Sequence, residues 1–294
     1  IYYNKIRGDV MGKNITYNMR INAVKNELHN KNEIRIYKFI QSRKEYIIHM
    51  SVSEAAEACN VSKAAMVRYA QKLGYKGYQA MKINIAQETI EPEKQIYGKL
   101  VKTDTVKSIM SKIISSHIQA LKDTLRVLDD SAIEQAIKYI LHANQLLFMG
   151  IGGAGSVAQD GQHKFMKIGR LAHFYADYNL QTMAVSTLSS KDVIIAISHS
   201  GDSTELLNLL EMASHSNVKI IAITNYSKSS IVELADVSLF TYSDETAVNS
   251  DALSSRIAEL AILDILYIGV VFKTYRTSYE HIVTTRTALA STKI

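Results

Sequence analysis

Between residues 145 and 272, short apolar runs alternate with longer amphipathic stretches, and that alternation restricts the chain more than any other feature. Strands are predicted near 145–149, 171–175, 193–197, 218–223 and 237–241. Helical patterns lie between them near 155–168, 179–187, 203–215 and 228–235, and a long one closes the series at 252–272. Strands separated by helix-length segments require crossover connections, so the expected product is a parallel sheet covered by helices on both faces. Ligands on such sheets bind at the carboxyl ends of the strands, near the point where strand order reverses. A further helical stretch, about 106–142, precedes the first strand.

The chain has 294 residues, enough for about two domains. Its 47% hydrophobic and 21% charged residues exclude disorder and collagen-like repeats. The longest apolar stretch, Leu253 to Phe272, contains Arg256, Glu259 and Asp264, so no transmembrane segment is predicted. Residues 1–5 have no signal-peptide layout, and a single cysteine, Cys59, excludes an intrachain disulfide. Both features place the expected protein in the cytoplasm.

Charge divides the chain. Residues 1–94 hold 16 Lys and Arg against 9 Asp and Glu, whereas residues 95–294 hold 18 against 19. The basic third is expected to meet a polyanion and the near-neutral remainder to do something else. The only proline, Pro92, lies among Glu88, Glu91 and Glu93, where a linker is expected. The predicted organisation is a leader outside the fold over 1–13, with Met11 or Met19 as the expected start. A DNA-binding domain follows over 14–91, then a linker over 92–105 and an α/β domain over 106–294.

Within the basic third, Ser51 to Glu54 fits a capping box that starts a short helix at Val52. Val52, Ala55, Ala56 and Cys59 share its apolar face, and Asn60 tolerates the left-handed turn that ends it. Ser62 opens a second helix with Met66, Tyr69, Ala70 and Leu73 inward and Ala65, Arg68 and Lys72 outward. Gly74 follows as a stop. Two short helices across a tight turn make a helix-turn-helix, whose second helix enters the major groove. Ser62, Lys63, Ala65 and Arg68 are the expected base readers, and Lys72 is the expected phosphate contact. Tyr75, Lys76, Tyr78 and Lys82 are expected near the DNA backbone. Cys59 is expected to be a small buried apolar residue.

Two loops carry the chemistry of the α/β part. Gly150-Ile151-Gly152-Gly153-Ala154-Gly155 has the form GxGxxG, with Asp177 beyond the second strand, and taken alone favours a dinucleotide. Ser198-His199-Ser200-Gly201-Asp202-Ser203-Thr204 combines hydroxyls, a glycine and a helix N-terminus, an arrangement that cradles a phosphate monoester. An isomerase on the same sheet would draw its base from His163, His199, Glu205 or Glu259. No GxSxG elbow and no metal-ligand spacing among the nine histidines and Cys59 is present in the sequence.

From about Asn14 to Lys273 the chain resembles transcriptional regulators of the RpiR type, a helix-turn-helix followed by a sugar isomerase (SIS) domain. The resemblance rests on Val61-Ser62, Val67-Arg68-Tyr69, Leu73-Gly74-Tyr75-Lys76-Gly77-Tyr78, His163-Lys164-Phe165, Ser198 to Ser203, Ala235-Asp236-Val237 and Ser255-Arg256-Ile257, in that order. It implies an α/β fold: an all-α helix-turn-helix domain followed by a five-stranded parallel-sheet αβα sandwich. It also implies a regulator of carbohydrate genes that is not an enzyme and carries no metal or cofactor. Its effector would be a sugar phosphate and its partner a palindromic operator DNA met by a homodimer or tetramer. Ser198, Ser200 and Ser203 would bind the phosphate, with Gly152, Gly153, Ala154 and Gly201 completing the site. Departures from the family pattern are Ser203 in place of threonine, Ala154 in place of serine, Asn249 in place of arginine and Ala65 in place of threonine.

Overall fold

The computed structural model describes residues 16–24, 27–89, 100, 103–243 and 253–290. The described residues fall into two compact units, one carried by residues up to 109 and the other by residues 110–243 and 253–290.

The first unit contains α1 (Tyr17–Val24), α2 (Lys31–Ser42), α3 (Lys44–Ile47), α4 (Val52–Ala58), α5 (Lys63–Lys72) and α6 (Tyr78–Thr89). Capping chemistry sets the boundaries of its central pair. The Ser51 hydroxyl accepts from the Glu54 amide at 3.2 Å while the Glu54 carboxylate accepts from the Ser51 amide at 2.8 Å, the reciprocal bonds expected of the capping box. Asn60, at φ 51°, reverses the chain after α4, with the Val61 amide donating to Ala56 O and the Asn60 amide to Glu57 O. Ser62 caps α5 by accepting from the Ala65 amide, and Gly74, at φ 81°, ends it. Ile36, Ile40, Ile47, Met66, Met81 and Ile85 fill the core, and the buried hydroxyls of Tyr17 and Tyr69 bond each other at 3.0 Å. Cys59 is buried among them, and burial pushes its thiol up to about 11, so it stays a protonated, unreactive packing group.

The helical stretch before the sheet divides into α7 (Val106–Val127) and α8 (Asp130–His142), because Asp129 caps α8 by accepting from the Ala132 amide. Then follow β1 (Leu146–Met149), α9 (Gly153–Lys167), β2 (Ala172–Phe174), α10 (Tyr178–Ser186), β3 (Val193–Ile197), α11 (Thr204–Ser214), β4 (Lys219–Thr224), α12 (Ser230–Leu234), β5 (Val237–Phe240), α13 (Leu253–Lys273) and α14 (Tyr275–Ala290). All five strands are parallel, in the order β2-β1-β3-β4-β5. Strand side chains alternate between two cores. Leu146, Phe148, Ile195 and Ile221 pack toward α8, α9 and α13, whereas Leu147, Met149, Ile194 and Ile220 pack toward α10, α11 and α12. A strand buried on both faces reads as an unbroken apolar run, which is why the expected strands agree with these to within a residue or so.

Strand order reverses between β1 and β3, so the loops after those strands diverge and leave a crevice at their carboxyl ends. The sequence patterns contain no sign of α14, a polar helix whose only buried residue is Ser278.

Candidate effector site and DNA-reading helix

The loop from β3 to α11 is held from behind. Ser198, at the end of β3, is buried and its hydroxyl accepts from the Gly201 amide at 3.1 Å. Gly201 adopts φ 64°, a conformation that L side chains rarely take. A Cβ there would lie 2.1 Å from Ser229 Oγ and 2.9 Å from Ile231 Cγ2. The Ile231 amide donates to Gly201 O, and the Ser230 amide donates to Asp202 Oδ1 at 2.8 Å, so the loop is pinned to the start of α12.

Ser200 is exposed, and its hydroxyl accepts from the Asp202 amide at 3.4 Å. Ser203 holds the N-cap position of α11 without a side-chain capping bond. The two hydroxyls therefore stand beside the unpaired N–H groups of an eleven-residue helix, an arrangement that complements a dianion. Of the three expected phosphate hydroxyls, Ser200 is exposed and Ser203 half-buried, while Ser198 is buried and occupied in shaping the loop.

The loop from β1 to α9 turns tightly. Gly152 is at φ 62° in the N-cap position of α9, and a Cβ on Gly150 would lie 2.6 Å from Ala154 O. Ala154 is half-buried and packs against the core. Beside this loop lies a cavity of about 250 Å³ whose lining includes Gly152, Ser156, Gln159, Tyr178, Gln181 and Glu205. It sits past the carboxyl ends of β1 and β2, and Glu205 belongs to the first turn of α11. Ser156, Gln159 and Gln181 carry no motif signal and were not expected. For Glu205 the sequence suggests only the role of a base.

Other residues have structural occupations. Asp177, the acid that a ribose would need, caps α10 by accepting from the Leu180 amide at 3.0 Å. Glu259 is buried on α13, His163 is exposed on α9, and the His199 ring meets Tyr226 edge-on. Among the described residues no group of three or more His, Cys, Asp or Glu could hold a metal ion, and no helix is long and apolar enough to cross a membrane. Asn249 lies outside the described residues.

In the first unit, α5 presents Ser62, Ala64, Arg68 and Gln71 to solvent, with Lys63 half-buried. Several expectations need correction. Ala65 is only 8% exposed and faces inward with Met66, because the buried arc of α5 is two residues wide. Lys72 is not free for a phosphate: its ammonium pairs with Glu33 at 2.8 Å and donates to Glu27 O at 2.9 Å. Likewise Tyr75 and Tyr78 are buried, and Lys82 donates to Met50 O from beneath the surface. Of that group only Lys76 is exposed.

Comparison with known proteins follows the same division. Residues 15–92 match the model of a helix-turn-helix domain of the rpiR family, and residues 139–269 match the SIS domain. The chain is similar to the uncharacterized HTH-type transcriptional regulator YbbH of Bacillus subtilis, with 34% identity over 89% of this chain and 93% of that one. It is also similar to the HTH-type transcriptional regulator RpiR of Escherichia coli, with 26% identity over 84% and 83% of the two chains. Among solved structures, the Vibrio vulnificus NanR protein complexed with ManNAc-6P shares the fold at a TM-score of 0.79 and 20% identity, covering 90% of this chain and 95% of that one. A helix-turn-helix unit and a SIS unit in this order, with full-length relatives of the same kind, show that the chain belongs to the rpiR family of helix-turn-helix transcriptional regulators.

Proposed function

We propose that the second unit is a sensor of a phosphorylated sugar and that its occupancy alters how the first unit binds operator DNA. One observation carries the sensor half: the hydroxyls of Ser200 and Ser203 are left available at the N-terminus of α11, next to the cavity reached by Glu205. The phosphate docks on that loop and the sugar body extends toward Gly152 and α9. Gly153 contributes its backbone at the first turn of α9 rather than a side chain. The ligand is an effector and not a substrate, in keeping with relatives, matched over 93% and 83% of their length, that are named as regulators.

The chain acts as a homodimer or tetramer in the cytoplasm, on palindromic half-sites about one helical turn apart. An exposed apolar stripe on α7, Met110, Ile114, Ile118 and Leu125, supports self-association. Effector binding then selects one arrangement of the paired recognition helices.

A thermal-shift panel of sugar phosphates, their parent sugars and NAD(H) tests the sensor half. A site at about 100 times its dissociation constant stabilises by about 2.7 kcal/mol, so a phosphosugar is expected to raise the melting temperature while its parent sugar does not. A shift with NAD(H) alone would replace this reading with a dinucleotide sensor.

For the DNA half, Arg68→Ala is expected to weaken specific binding by about 1–3 kcal/mol, the worth of a bidentate base contact. Lys72→Ala removes an ion pair worth about 0–1 kcal/mol to the fold and leaves DNA affinity nearly unchanged. Fluorescence anisotropy on matched and scrambled DNA distinguishes the two residues.

A further inference from the structure

The outer face of α5 follows from its own burial. At about 100° per residue, Ala65, Met66, Tyr69, Ala70 and the following Leu73 span one arc, and all five are buried. Ala64, Arg68 and Gln71 fall within about 60° of one another on the opposite side, and all three are exposed. Among the described residues neither the Arg68 nor the Gln71 side chain has an ion pair or a hydrogen bond, whereas the neighbouring Lys72 is held by Glu33 and by Glu27 O. Arg68 and Gln71 stand three residues apart, so their stems are separated by about 4.5 Å along the helix axis. Base pairs follow one another at about 3.4 Å, so two side chains on one line of the helix reach bases within about two base pairs of each other.

The chemistry of the two side chains indicates which bases. A guanidinium has five donors and no acceptor, the complement of N7 and O6 on the major-groove edge of guanine. A carboxamide has a donor group and an acceptor, the complement of the adenine edge, which accepts at N7 and donates from N6. A phosphate offers acceptors alone and would leave the Gln71 oxygen without a role.

We infer that Gln71 is a specificity-determining residue for DNA, reading an adenine within about two base pairs of the guanine read by Arg68. The inference rests on the DNA-binding reading above and deepens it by naming a pair of bases that each half-site holds.

Selection of random duplex DNA by the full chain, repeated with Gln71→Ala, Gln71→Glu and Arg68→Ala, tests this. The wild type is expected to enrich half-sites with a guanine and an adenine at that spacing. Arg68→Ala is expected to lose the preference at the guanine and Gln71→Ala at the adenine. Gln71→Glu is expected to move the preference at the second position to cytosine, whose N4 amino group donates to a carboxylate. Gln71 is exposed, so neither substitution there disturbs the core. In fluorescence anisotropy, replacing the adenine is expected to weaken the wild type about five- to 150-fold, the worth of one bidentate pair, and Gln71→Ala by less than about three-fold. An adenine preference kept by either Gln71 variant, a changed preference at some other base, or an equal loss on every sequence, which marks a phosphate contact, overturns the inference and leaves the DNA-binding reading standing. A wild type that enriches no sequence overturns that reading, and this inference with it.

Discussion

Gly201→Ala is expected to destabilise the second unit by about 2–5 kcal/mol and to abolish its response to phosphosugars. The left-handed conformation costs an L residue about 1–2 kcal/mol, and forcing a methyl group into a packed site costs about 1–3 kcal/mol more. The obstruction is specific: Ser229 Oγ would lie 2.1 Å from the new carbon, and Ser229 is itself buried and held by its bond to Tyr226 O. Relief requires the loop to leave α12, which breaks the bonds from Ile231 N to Gly201 O and from Ser230 N to Asp202 Oδ1. Ser200 and Ser203 then lose their shared orientation at the start of α11. Urea unfolding measures the first effect and a thermal-shift titration the second. A variant that unfolds like the wild type and still binds would show that this loop geometry is not required.

A second large effect is expected in the other unit. Tyr69 lies on the inward face of α5, and its hydroxyl bonds that of Tyr17 on α1. Truncating a buried aromatic residue to alanine costs about 3–5 kcal/mol, and Tyr69→Ala also strands the buried Tyr17 hydroxyl. Since an isolated small domain holds only about 5–15 kcal/mol, the seat of α5 is expected to be weakened and operator binding with it. The second unit has its own two-sided core, so stabilisation by a phosphosugar is expected to persist in this variant. Loss of both activities together would contradict the separation of roles between the units.

What could be read from the sequence follows from how much contrast each residue carries. Strands buried on both faces stand out as apolar runs, and caps such as Ser51, Asn60 and Ser62 announce themselves by type and spacing. Helix α14 buries too little for periodicity to mark it. The face of α5 was misjudged at Ala65 because Ala64 and Ala65 are adjacent and identical, so only the packing of Met66 and Tyr69 reveals which one points inward. Lys72 looked available because its partner Glu33 lies 39 residues earlier, a pairing no local pattern contains. In the effector site the glycines and serines were visible as a motif, but a single glutamine on an ordinary helix is not. Gln181 joins the site only because the fold sets it in the lining of the cavity. Ala154, where the resemblance implies a serine, packs half-buried against the core and brings no hydroxyl of its own.

The central claim is coupling between the two units, and the most direct measurement is the affinity for DNA with and without the stabilising phosphosugar. Labelled DNA selected from random sequence for binding to the chain is titrated in fluorescence anisotropy at fixed salt, for the wild type and for Ser200→Leu. A coupling free energy of about 1–3 kcal/mol predicts a change of roughly five- to 150-fold in the apparent dissociation constant of the wild type. Ser200→Leu, altered at an exposed hydroxyl of the loop, is expected to bind the same DNA equally well and to ignore the sugar. A wild type that binds the phosphosugar yet holds its DNA with unchanged affinity would contradict the account.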